Sequence, residues 1–170
     1  EAVRKTISPR LADGEIVLEE LRDAKELMKN ISRIYIVACG SAYHVGMVGK
    51  YALEKMMHIP VEACLASEFR YSEPILGESS LVIIISQSGE TLDSMAALRE
   101  AKRRGSKVLS IVNVMGSSIA RESDYVLYTW AGPEIAVATT KAYTTQMVLL
   151  LMFGVYLAKQ LDRMEQEEYM

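Results

Sequence analysis

Six consecutive residues, Ser86-Gln87-Ser88-Gly89-Glu90-Thr91, carry three hydroxyls, an amide and a glycine where the aliphatic run Leu81 to Ile85 gives way to a helical pattern. That arrangement suits an oxyanion. A buried strand would deliver the backbone into a tight turn, and Gly89 would let it bend without a Cβ clash. The helix behind would present unpaired N–H groups at the positive end of its dipole. Ser and Thr hydroxyls donate to phosphate oxygens without a charge that would make binding indiscriminate. Ser-rich strand-to-helix turns also serve simply as helix caps, so the flanking context decides. Glu90 could be a base, but a carboxylate beside phosphate is repelled, and a capping or structural role fits it better.

Two more turns have the same character. Cys39-Gly40-Ser41 places a hydroxyl at a helix start, and Gly132 to Lys141 forms a polar loop entering the last helix, with Thr139 or Thr140 as its cap. Lys141 in the first helical turn opposes the dipole unless an anion or carboxylate sits nearby. His44 and His58, within and near the end of one helix, read as structural. Common nucleotide signatures fail. Ala42 stands where a dinucleotide fingerprint requires its second Gly, and Gly49-Lys50 is followed by Tyr51, with His44 where a P-loop needs Gly. Cys39 and Cys64 are far apart in apolar, strand-like sequence, which favours buried thiols in a reducing compartment over a zinc site or disulfide. No cofactor or metal is expected.

The elements that must position these turns alternate. Strands are expected at Arg33 to Ala38, Val61 to Ala66, Leu81 to Ser86, Lys107 to Val112 and Tyr125 to Trp130. Helices are expected from Gly40-Ser41 to about Met57, Thr91 to Arg104 with Gly105 as the stop, Ser117 to Glu122, and about Thr139 to Met164. Before them, an irregular lead containing Pro9 precedes an amphipathic helix over 14–30, with Asp13 as its cap. Several strands are continuously apolar, so the fold is α/β: a doubly wound, mostly parallel five-stranded sheet flanked by helices, flavodoxin-like. Residues 1–30 are then a lead segment and N-terminal helix, and 31–170 a single binding domain. In such sheets ligands sit beyond the carboxyl ends of the strands, near the switch in strand order. All three polar turns fall on that edge.

Bulk properties narrow the function classes. At 170 residues, 50% hydrophobic and 24% charged, the chain is an ordinary globular domain. A net charge of −3 without a basic stripe argues against a nucleic-acid surface, and Lys102-Arg103-Arg104 complements a helix C-terminus. The longest apolar stretch, Met147 to Ala158, is about half of what crosses a bilayer, so a core or interface helix is expected and no membrane partner. Starting at Glu1 and ending in a charged helical pattern, the chain reads as an excised domain. Val148 to Phe153 is apolar nearly all round, which predicts packing on a partner and a symmetric homodimer for the isolated domain.

Taken together, Cys39-Gly40-Ser41, Ala66 to Tyr71, Ser86 to Thr91, Gly116-Ser117-Ser118 with Arg121-Glu122, and Glu134-Ile135 with Thr140-Lys141-Ala142 strongly resemble the glutamine:fructose-6-phosphate amidotransferases, also called glucosamine-6-phosphate synthases. The likeness covers nearly the whole chain and corresponds to the first of that family's two sugar isomerase (SIS) domains. It implies a cytoplasmic enzyme in which glutamine-derived ammonia converts fructose 6-phosphate into glucosamine 6-phosphate. Ser86, Gln87, Ser88 and Thr91 would hold the sugar phosphate, Ser41 would lie beside the sugar, and Val137 with Thr139 would line its sugar side. The family has Thr-Ser where this chain has Ser41-Ala42, and Ser where it has Thr139; Ala42 removes a hydroxyl facing the phosphate. The resemblance also implies that the acid, base and lysine of the isomerisation come from a second SIS domain and C-terminal tail, and ammonia from a glutaminase domain. This chain alone is then expected to bind fructose 6-phosphate or glucosamine 6-phosphate without turning it over. A deglycase or amino-sugar isomerase with the same cradle, and a non-enzymatic sugar-phosphate sensor, are the alternatives.

Overall fold

The computed structural model describes residues 1–135 and 139–163. The chain starts with α1 (Ala2–Ile7), a 3-10 turn carrying Pro9, and a two-residue hairpin, β1 (Leu11–Ala12) and β2 (Glu15–Ile16). A further 3-10 segment leads to α2 (Lys25–Lys29). The α/β body follows: β3 (Arg33–Ala38), α3 (Gly40–Met57), β4 (Val61–Leu65), α4 (Ala66–Phe69), β5 (Ser80–Ser86), α5 (Leu92–Arg103), β6 (Lys107–Val112), α6 (Ser118–Glu122), β7 (Tyr125–Tyr128) and α7 (Lys141–Gln160).

The main sheet has the order β4-β3-β5-β6-β7, and every pairing is parallel. Parallel strands need crossovers, and the helices supply them on both faces. Ile34, Ile36, Ile83 and Ile85 point to a core formed with α3 and α7, whereas Tyr35, Val37, Val82 and Ile84 point to one formed with α4, α5 and α6. That is the period-2 alternation of strands buried on both sides. The strand order reverses between β3 and β5, which lie in register with Ala38 beside Ile85. Their exit turns, Cys39-Gly40-Ser41 and Ser86 to Thr91, are therefore neighbours at the switch point.

The lead departs from its expected form. Asp13 caps no helix: with φ of 53° at Asp13 and 80° at Gly14, the pair turns the β1–β2 hairpin, a job Asp-Gly performs because both central residues must take positive φ. The segment thought irregular contains α1, which packs on α7. Thr6 Oγ1 donates to the Thr129 carbonyl, and buried Arg10 donates to the Thr6 and Tyr128 carbonyls at 2.9 and 3.0 Å while pairing with Glu20. β7 also ends at Tyr128, two residues early, because Trp130 turns to φ 51°.

These contacts revise the reading of α7. By length and composition this 20-residue helix could cross a membrane, longer than its apolar run suggested, but it is packed between α3, α1 and the sheet. Along it, only Thr144 and Lys159 are exposed. Much of the apolar perimeter that pointed to a partner is covered by this chain's own elements, the missed α1 among them, while Val148 and Leu151 stay half-buried.

Two glycines let α3 and α7 approach. A Cβ on Gly49 would collide with Leu150 Cδ2 and lie 3.2 Å from its Cγ; a Cβ on Gly154 would lie 2.9 Å from both Leu53 Cδ1 and Met56 Cε. Alanine in a helix interior normally gains about 1 kcal/mol over glycine. At Gly49 overpacking of about 1–3 kcal/mol outweighs that gain. Gly49→Ala is therefore expected to lower the urea-unfolding free energy, and adding Leu150→Ala to cost less than the sum of the two single changes; strict additivity would refute the close-packing assignment.

Candidate functional site

Strand β5 is buried along all seven residues, so its end is fixed by the core and Ser86, 4% exposed, is the last residue in it. The turn is then built from its own side chains. Gly89 N–H donates to Ser86 Oγ at 3.0 Å and Glu90 N–H donates to Ser88 Oγ at 3.2 Å; Ser86 Oγ lies 3.3 Å from Thr91 Oγ1. The Gly89 and Glu90 N–H groups within the turn are thus taken. With their oxygens accepting from the backbone, the serines keep their O–H protons as donors. Unpaired donors remain in the first turn of α5, where the sequence placed them, since no side chain caps the helix at Thr91.

Gly89 adopts φ 68°, and a Cβ there would fall on Ser117 Oγ and lie 2.5 Å from Ser117 Cβ. Backbone and space both demand glycine. The turn is also tied to the next crossover: Ile119 N–H donates to the Gly89 carbonyl at 3.0 Å, and Ser118 N–H to Glu90 Oε1 at 2.8 Å. Glu90 therefore caps α6, and this hydrogen bond to Ser118 lowers its pKa.

A cavity of about 240 Å³ opens at the switch point, lined by Cys39, Ser41, Ala42, Ile85, Ser86, Gln87, Ser88, Thr91, Glu134, Thr139 and Gln146. Six of the seven site residues expected from the sequence, Ser41, Ser86, Gln87, Ser88, Thr91 and Thr139, meet there. Val137 lies outside the described residues. Ser41 is exposed in the first turn of α3, whose N-cap, Cys39, makes no side-chain cap. Neither histidine lines the cavity; His44 packs edge-on against Tyr43, and His58 ends α3 at φ 53°.

The third wall contains what the sequence reading missed. Glu134 Oε2 accepts from Ala142 N–H at 3.1 Å, so this carboxylate answers the dipole conflict raised by Lys141 in the first turn of α7. Thr139 and Thr140 do not act as side-chain caps, and Thr139 Oγ1 is buried without a hydrogen-bond partner. Asn113, just after β6, accepts from Thr129 Oγ1 and Ala131 N–H and donates to the Gly132 carbonyl at 2.7 Å, holding the loop after β7. Gln146, on α7, is 2% exposed and faces the cavity. An amide directly ahead of the apolar run from Met147 was its signal.

Elsewhere, Arg70, Arg103 and Arg104 form an open cationic cleft, but Glu100 occupies it; Arg103 and Arg104 bond its carboxylate and hold its pKa at about 2. Both cysteines are free thiols, only half-buried, and burial pushes Cys64 up to about 11. Among the described residues no group of three His, Cys, Asp or Glu could hold a metal ion.

The strand order and the hydroxyl-lined cavity at its reversal define a doubly wound α/β domain built to take a small polar ligand at the switch point. A family model described as the SIS domain matches residues 27–156, and the chain belongs to that family. It is 53% identical over 169 residues to the glutamine–fructose-6-phosphate aminotransferase (isomerizing) of Clostridium tetani, covering 99% of this chain and 28% of that protein. To the enzyme of the same name from Caldanaerobacter subterraneus it is 57% identical over 154 residues, covering 90% of this chain and 25% of that protein. Among solved structures, the C-terminal domain of glucosamine-fructose-6-phosphate aminotransferase from Francisella tularensis superposes with a TM-score of 0.93 at 44% identity, over 99% of this chain and 48% of that one. The chain thus spans about a quarter of the length of the enzymes it matches.

Gly89→Ala should cost about 3 kcal/mol of unfolding free energy, combining left-handed strain with overpacking. Ser117→Gly should restore the steric part alone. Full recovery in the double variant, measured by denaturant titration, would show that φ at Gly89 imposes no strain.

Proposed function

We propose that this chain is the sugar-phosphate-holding SIS domain of an enzyme that makes glucosamine 6-phosphate from fructose 6-phosphate and glutamine-derived ammonia. The observation that carries the reading is the convergence of three turns, distant in sequence, on one hydroxyl-lined cavity in a chain 53% identical to an enzyme of that name. Ser86, Gln87, Ser88 and Thr91 hold the phosphate, which lies over the uncapped start of α5. Ser41 sits beside the sugar, and Thr139 lines its far side. Residues 31–170 form this binding domain, and 1–30 are its lead.

The cavity holds a ligand better than it could transform one. Among its described lining residues only Cys39 and Glu134 ionise, and Glu134 is committed to capping α7. Moving a proton between adjacent carbons of a sugar needs a positioned acid and base. Those groups come, in this reading, from a second SIS domain of the parent enzyme, and ammonia from its glutaminase domain. Val48 and Tyr51, exposed one turn apart on α3, give a second SIS domain, or a second copy of this chain, an apolar surface. The cytoplasm suits two free thiols and a sugar-phosphate substrate.

Calorimetric titration should show saturable binding of fructose 6-phosphate or glucosamine 6-phosphate that Ser88→Ala with Thr91→Ala weakens by about tenfold or more. The purified chain should form no glucosamine 6-phosphate. Binding unchanged in the double variant would remove the phosphate assignment, and detectable product would overturn the division of labour.

A further inference from the structure

The cavity has two unlike ends. On one side, β5 and α5 supply neutral hydroxyl donors and a helix start. On the opposite face of the sheet, α7 supplies Gln146, whose side chain is 2% exposed, lines the cavity and has no hydrogen-bond partner among the described residues. Thr139 Oγ1 is likewise buried and unpartnered on this side. The Gln146 side chain meets the cavity, and leaving a polar group unpaired inside a fold costs about 1–3 kcal/mol, so a partner that enters the cavity and pairs with the amide is favoured. Leu149, Leu150 and Phe153, further along α7, are fully buried core residues, which shows what this helix normally places inside.

An amide both donates and accepts, and so does each hydroxyl of a sugar. Phosphate would engage only the NH2 of this amide and leave its oxygen without a donor, whereas a sugar's hydroxyls can meet both ends. Glu134, the carboxylate on the same wall, also repels an anion and directs it towards the hydroxyl end. We infer that Gln146 is a specificity-determining residue that binds hydroxyls on the carbon chain of the phosphosugar while the phosphate sits in the Ser86-to-Thr91 turn. This rests on the sugar-phosphate reading above and adds to it the group that tells a phosphosugar from phosphate alone.

The test compares fructose 6-phosphate with inorganic phosphate, using the unaltered chain, Gln146→Leu, and Gln146→Met, whose unbranched side chain fills the same space should Leu disturb folding. Loss of the amide should weaken fructose 6-phosphate by about tenfold and leave inorganic phosphate within about twofold. In the unaltered chain, the Gln146 side-chain amide resonances should shift with fructose 6-phosphate and stay in place with phosphate. Equal weakening of both ligands, or of neither, would overturn the inference while leaving the sugar-phosphate reading intact. Failure of the unaltered chain to bind fructose 6-phosphate would instead sink that reading, and this one with it.

Discussion

Everything at the ligand edge depends on how closely α3 and α7 approach. Side chains normally keep packed helices 8–10 Å apart, and a glycine opposite a large residue lets one helix seat a knob of the other against its backbone. Here the arrangement is reciprocal: Leu150 of α7 fills the notch at Gly49, and Leu53 and Met56 of α3 fill the notch at Gly154. Two such contacts fix α7 along its axis as well as sideways. Its first turns are thereby held over the β3–β5 boundary, where Glu134, Thr139 and Gln146 complete a cavity that α3 and α5 begin.

The second constraint is local. Ser86 and Ser88 fold the turn by accepting its N–H groups, and Gly89 lies so close to Ser117 that no side chain fits. Preorganisation follows, because the hydroxyls are oriented before any ligand arrives and little ordering cost remains for binding. The same turn reaches into α6 through Glu90 and the Gly89 carbonyl, so two successive crossovers of the sheet share the rigidity of one loop.

Much of this was legible in the sequence, for identifiable reasons. Strands β3 and β5 are nearly continuous apolar runs bounded by polar turns, and the parallel order follows from the alternation of strands with helices. Hydroxyls clustered at strand ends marked the cavity. What escaped notice depended on tertiary partners. The six-residue α1 is too short to be stable alone and exists by packing on α7, so its sequence carries no strong helical signal. Asp13 fits a cap or a hairpin turn equally well until Gly14 is weighed with it. The apolar circumference of α7 suggested a second protein, and much of it is taken up within the chain by α3 and α1. Asn113 and Gln146 are single amides whose meaning comes from what the fold sets opposite them.

The most direct measurement is a crystal structure of this chain with fructose 6-phosphate. The account predicts the phosphate within hydrogen-bonding distance of the Ser88 and Thr91 hydroxyls at the start of α5, and the carbon chain extending towards α7. Phosphate found instead among Arg70, Arg103 and Arg104, with the switch-point cavity empty, would contradict it.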